Sequence, residues 1–267
     1  MIEALLAGLF GLLIGSFLNV CIYRLPRDLS VWKPARSYCP ECERTIAWYD
    51  NIPLLSYLFL RGKCRACGTA IPLRYLLVEL LCGILFFSVV YRFRVTAEAG
   101  KWMTFAALNV GLIFADLEER ILPDEFTKGG VVLGLIWAWF VWLPFGFSPL
   151  FLSPDATPPI VSITESLLAA GIAYGLFRGL GWAYEKFRHR EGLGMGDMKM
   201  VAMMGAFLGL VPMMLAIMIG SMLGSVLGMI FIKWNGEDST QYELPFGSFL
   251  GVGALAAAWL EASHVGQ

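Results

Sequence analysis

Histidine is almost missing from this chain: 267 residues hold two, His189 and His264. No H-E-x-x-H zinc peptidase motif can form, and Ser16, Ser221 and Ser248 lack a convincing histidine partner for a serine triad. Charge is scarce too. Asp, Glu, Lys and Arg make up 15% of the chain against 58% hydrophobic residues, with a mean hydropathy of +0.67. A water-soluble globule would then be short of polar surface. No strand–G-x-G-x-x-G–helix nucleotide pattern occurs, nor an internal repeat, and no nucleic-acid partner is expected. Residues 2–23 carry an acid at Glu3 but no basic start and no A-x-A site, so they read as a retained helix.

What is present is a series of long uncharged runs, which mark a membrane protein. Eight spans are expected, at roughly 2–23, 75–91, 102–115, 129–147, 161–184, 198–211, 213–233 and 245–260. Pro212 is expected at the turn between the sixth and seventh. Of the 20 Lys and Arg residues, only Arg92, Arg94 and Lys101 fall outside when segment 24–74 is placed in the cytoplasm. The positive-inside rule favours that orientation, with both termini outside. The expected fold is an all-α polytopic membrane protein with a small cytoplasmic zinc-binding domain inserted after the first helix. Its parts are a first transmembrane helix at 1–23, a cytoplasmic four-cysteine domain at 24–74, a seven-helix membrane catalytic domain at 75–260 and an outer tail at 261–267. Five prolines make 144–160 an irregular outer loop, and 234–243 a short inner turn. Gly205, Gly209, Gly220, Gly224 and Gly228 recur at helix-packing intervals.

Cys39-x2-Cys42 and Cys64-x2-Cys67 are separated by 21 residues. Two such knuckles close a tetrahedral thiolate shell around Zn2+, and a cytoplasmic setting argues against the alternative of disulfides. With four protein ligands no position is left open, so the metal is expected to fold a domain too small for its own core. Cys21 and Cys82 fall within spans and read as inert core residues.

Two carboxylates carry the sharpest expectation. Asp116 closes the run ending at Ala115, and Asp197 follows Gly194-Met195-Gly196 just before the run from Met198. An ionisable residue at a membrane segment is a functional-site hypothesis by default, and two facing carboxylates sharing a proton can activate water. Gly194 and Gly196 would let the backbone come close to a substrate strand, and Lys199 is the expected cation beside Asp197. The plain alternative is that interfacial acids cap helix ends, which suits Asp124 well. An ion-coupled transporter is a further alternative, although transport sites favour the membrane midplane and these acids sit at one edge.

Several stretches together resemble the type IV prepilin peptidases, the bifunctional leader peptidase/N-methyltransferases. They are Gly15-Ser16-Phe17-Leu18-Asn19-Val20, Tyr23-Arg24-Leu25-Pro26, Asn51-Ile52-Pro53-Leu54-Leu55-Ser56-Tyr57, Leu60-Arg61-Gly62-Lys63-Cys64-Arg65, Arg74-Tyr75 with Val78-Glu79-Leu80, both aspartate motifs and Pro245-Phe246-Gly247. Ser248 departs from the proline expected next. The resemblance implies an eight-helix enzyme of the bacterial cytoplasmic (inner) membrane, with its active site on the cytoplasmic side. It would cut the leader from type IV prepilins or type II secretion pseudopilins after a glycine. It would then methylate the new N-terminus from S-adenosylmethionine. By motif match Asp116 and Asp197 are the protease pair. Glu118 and Glu119 would hold a basic leader, or else form a solvated turn. Glu79 would contact the substrate amine or the sulfonium, or else neutralise Arg74.

Overall fold

The computed structural model describes residues 1–143, 146–153, 155–188, 194–235 and 244–264. His189, Pro144, Pro154, most of the inner turn at 234–243 and the last residues of the tail lie outside these. Among the described residues all regular elements are helical, apart from two isolated antiparallel bridges. The helices are α1 (Ile2–Arg24), the short α2 (Leu55–Phe59), α3 (Arg74–Phe93), α4 (Ala97–Glu119), α5 (Asp124–Phe140), α6 (Pro158–Arg188), α7 (Met195–Leu208), α8 (Leu210–Asn235) and α9 (Phe246–His264). Each expected span overlaps one of the eight longer helices, although that at 129–147 runs past the end of α5 and that at 198–211 crosses Gly209 into α8. Among the described residues four segments are long and apolar enough to cross a membrane: Ile2–Arg27, Arg74–Phe93, Pro158–Arg188 and Leu210–Phe231. The chain divides into two compact units, Met1–Ala115 and Asp116–Gln267.

In the first unit, small residues let α1 and α3 touch backbone to backbone. A Cβ on Gly11 would stand 2.5 Å from the Cys82 carbonyl oxygen, and one on Gly15 would stand 2.6 Å from Glu79 Cα. Such contacts replace the hydrophobic drive that is absent in lipid. The opposite face of α1 leaves Leu5, Leu9 and Leu13 exposed, as a lipid-facing stripe requires. Asn19, buried beside α3, donates its Nδ2 to the Tyr75 carbonyl at 3.0 Å. Cys21 and Cys82 are both buried, as the sequence suggests.

In the second unit α7 is the hub, packed against α5, α6, α8 and α9. Met198 and the whole stretch Met200–Leu208 are buried, the pattern of a helix apolar all round. Gly205 admits Ala169 of α6, Gly134 of α5 admits Ala206, and Gly220 of α8 admits Leu250 of α9, each with a hypothetical Cβ at 2.8–2.9 Å from the neighbour. The break between α7 and α8 corrects the expectation placed on Pro212. The turn is made at Gly209, whose φ of +76° lies where a Cβ is penalised. Pro212 instead sits in the first turn of α8, where a missing N–H costs nothing. Val211, Met214, Met218, Met222 and Val226 face outward from α8. Glu165 of α6 is almost wholly buried and accepts the N–H of Ser148, from the segment before α6, at 3.0 Å.

Candidate active site and cysteine centre

Three segments of the second unit converge around Asp116: the end of α4, the start of α7 and the start of α9. Asp116 is 5% exposed. Its Oδ2 accepts two hydrogen bonds from Ser248, from the backbone N–H at 2.6 Å and from the hydroxyl at 2.8 Å. Ser248 lies in the first turn of α9, where its backbone N–H, shared with the Pro245 carbonyl at 3.2 Å, has no partner within the helix and the helix dipole favours a negative charge. Asp197 is the third residue of α7 and half-buried. The Asp116 carboxylate lies near enough to act on it electrostatically. Two carboxylates in that relation do not both ionise easily.

Leu122 fills the space between the three segments. A Cβ on Gly196 would stand 3.0 Å from Leu122 Cβ, and one on Gly247 would stand 2.9 Å from Leu122 Cδ1 and 3.2 Å from Asp116 Cγ. Gly194 has ordinary extended backbone, φ −64° and ψ 137°, and a Cβ there would lie 3.1 Å from the Asp197 carboxylate. The glycines flanking Asp197 therefore supply room more than unusual backbone. Lys199 does not turn to Asp197. Its Nζ donates to Asp124 Oδ1 at 2.6 Å, and Lys128 pairs with Asp124 Oδ2 at 2.6 Å, one turn along α5. Asp124 thus ties the start of α5 to the start of α7. In the last turn of α4, Glu118 is exposed and Glu119 half-buried.

In the first unit the Sγ atoms of Cys39, Cys42, Cys64 and Cys67 all lie within 4.8 Å of one another. Cys39 and Cys67 are 3.8 Å apart, sulfur to sulfur. Thiolates at about 2.3 Å from a metal at the corners of a tetrahedron stand about 3.8 Å apart, so the donor set fits such an ion. All four are free thiols, against the disulfide alternative. The two knuckles repeat one another. Glu43 N–H donates to Cys39 O and Gly68 N–H to Cys64 O, with the bridges Tyr38–Thr45 and Lys63–Ala70 closing each turn. Both turns need a left-handed residue, Gly68 at φ +74° and Glu43 at φ +55°. Thr69 hydrogen bonding draws the Cys67 thiol down to about 6, whereas at Cys42 a lowering backbone bond from Arg44 is outweighed by desolvation and the neighbouring Cys39 and Cys67, which push that thiol up to about 11. A cation bound among them would favour the thiolate form of each. Arg65 grips Asp50 with two bonds of 2.8 and 2.6 Å and holds that carboxyl below the usual range.

Glu79 of α3 is buried, and its Oε2 accepts the Leu54 N–H at 2.8 Å. The acid therefore holds the segment after the first knuckle, at Leu54 with its φ of +59°, onto the α1–α3 pair. Sequence reasoning missed Ser248 and Leu122. A serine without a histidine and one leucine among many carry no signal until the fold sets them beside the aspartates.

Residues 9–93 match the bacterial peptidase A24 N-terminal domain, and residues 102–229 match the type IV leader peptidase family. Curated relatives named prepilin leader peptidase/N-methyltransferase include one from Myxococcus xanthus. It is 42% identical over 198 residues, which cover 74% of this chain and 54% of that protein, little more than half its length. One from Aeromonas hydrophila is 34% identical over 285 residues, covering 95% of this chain and 90% of that protein. A type 4 prepilin-like proteins leader peptide-processing enzyme from Escherichia coli is 35% identical and covers 96% of this chain and 94% of its own length. No solved structure matches the chain.

Proposed function

The chain belongs to the type IV leader peptidase family, and on that premise we propose that it is a membrane enzyme that cleaves the leader from type IV prepilins or secretion pseudopilins after a glycine and methylates the new N-terminus. The observation that carries the protease half is the meeting of Asp116 and Asp197 at the starts of α7 and α9. A water held between two carboxylates sharing one proton attacks the scissile carbonyl. One carboxylate takes its proton while the other polarises the carbonyl oxygen. Gly196 and Gly247 matter because they let Leu122 close the floor of this site. Glu118 and Glu119, on the turn that follows Asp116, meet a basic leader.

All eight longer helices cross the bacterial inner membrane in this reading, with the aspartates at the cytoplasmic edge. The basic residues of 24–74 support that orientation, and the exposed apolar faces of α1 and α8 support the lipid setting. The parts are those expected at 1–23, 24–74, 75–260 and 261–267. Cys39, Cys42, Cys64 and Cys67 hold a structural Zn2+, which supplies folding free energy rather than a reactive water. S-adenosylmethionine, when bound, supplies the methyl group. Glu79, held by the Leu54 N–H, is the acid assigned to the substrate amine or the sulfonium. Purified protein incubated with a prepilin and S-adenosylmethionine should yield a product lighter by the leader and heavier by one methyl group, read by mass spectrometry. Intact prepilin throughout would contradict the proposal.

A further inference from the structure

The two aspartates differ in their hydrogen bonds. Asp116 Oδ2 receives both the N–H and the hydroxyl of Ser248, whereas Asp197 accepts no hydrogen bond from another described residue. A first-turn N–H aimed at an oxygen stabilises it as an anion, and so does the positive end of α9. Asp197 also sits in the first turn of a helix, its own α7. The helix ends therefore favour both acids, and the Ser248 donors break the tie. Lys199, which would have tilted the balance the other way, is engaged by Asp124.

We propose that Ser248 and the start of α9 hold Asp116 as the ionised member of the pair, so that Asp116 is the base and Asp197 the protonated acid. Ser248 is a positioning residue and Asp116 and Asp197 are catalytic residues; this assignment rests on the protease reading above. Water adds its oxygen to the scissile carbonyl carbon and gives a proton to Asp116, while Asp197 gives its proton to the carbonyl oxygen. The C–N bond of the resulting diol then breaks. Asp116 passes its proton to the leaving amine, and one diol hydroxyl returns a proton to Asp197. Both carboxyls end as they began. Among the described residues, the charged groups that act on Asp116 are Asp197 on α7 and Arg120 just past the end of α4; Lys199 and Lys128 are both engaged by Asp124. From α9 the donors are those of Ser248.

The test is the pH profile of kcat/KM for prepilin cleavage in Ser248→Ala, beside Ser248→Thr, which keeps both donors. In the wild type the acid limb reports ionisation of the base and the alkaline limb loss of the acid's proton, as macroscopic values of the pair. Losing the hydroxyl should move the acid limb up by about one pH unit, leave the alkaline limb in place and leave the Thr variant like wild type. A shifted alkaline limb would make Asp116 the acid, and an equal loss at every pH would make Ser248 merely structural; either overturns the assignment. Infrared difference spectra need no substrate and no Ser248 variant. Wild type minus Asp116→Asn should show an ionised carboxylate band, and wild type minus Asp197→Asn a protonated carboxyl band. The reverse pattern would overturn the assignment even if no prepilin is cleaved, an outcome that would count against the protease reading alone.

Discussion

Single residues set what each centre tolerates. Glu43 takes the left-handed backbone that Gly68 takes in the matching knuckle, and a side chain there costs about 1–2 kcal/mol. Glu43→Gly should therefore raise the stability of the cysteine module by about 1 kcal/mol, measured as a higher chelator concentration at half-loss of metal. Asp50 responds to pH. Its carboxyl is depressed in the folded state by Arg65, so its contribution is complete above the unfolded value of about 4 and is lost as pH falls through the lower folded value. Arg65 is largely exposed, so solvent screens the pair and its contribution is small. Asp50→Asn should weaken metal retention at pH 7 and change nothing near pH 2, as metal release against pH would show. The aspartates and the four cysteines were legible in the sequence because their residue types and spacing carry the chemistry. The Asp50–Arg65 pair and the two Ser248 bonds were not, since each joins residues far apart in the chain through ordinary side chains.

Among elements, α7 decides whether the aspartates meet. It is enclosed by four other helices, and Gly205 is where α6 comes nearest. Gly205→Leu should drive α6 from α7, lower the unfolding midpoint by several degrees and remove activity together with the fold, as a thermal melt in detergent would reveal. Gly209→Ala is milder. It places a Cβ at φ +76° and should cost about 1 kcal/mol or more with cleavage retained. The helices were legible from their apolar runs, although α5 stops at Phe140, short of the run that reaches 147. The turn after α7 was misread because proline is a strong breaker in sequence, yet it is harmless in a first helical turn. Lys199 was misread for a related reason: two residues of separation from Asp197 suggested a partner, but positions i and i+2 of a helix do not face each other.

In the whole molecule, two compact units each hold one candidate centre, four clustered cysteines in Met1–Ala115 and the two aspartates in Asp116–Gln267. The membrane setting was legible in composition. The division at residue 115 was not, because it falls inside α4, where no change of composition marks it. The account's central claim is that Asp116 and Asp197 form one hydrolytic site. The measurement that tests it most directly is prepilin cleavage by wild type, Asp116→Asn and Asp197→Asn proteins of equal thermal stability, with leader loss followed by mass spectrometry. Each substitution should lower kcat/KM by at least about 10²–10⁴-fold, and the double variant should be no worse than either single one. Cleavage at the wild-type rate in either folded variant would contradict the account.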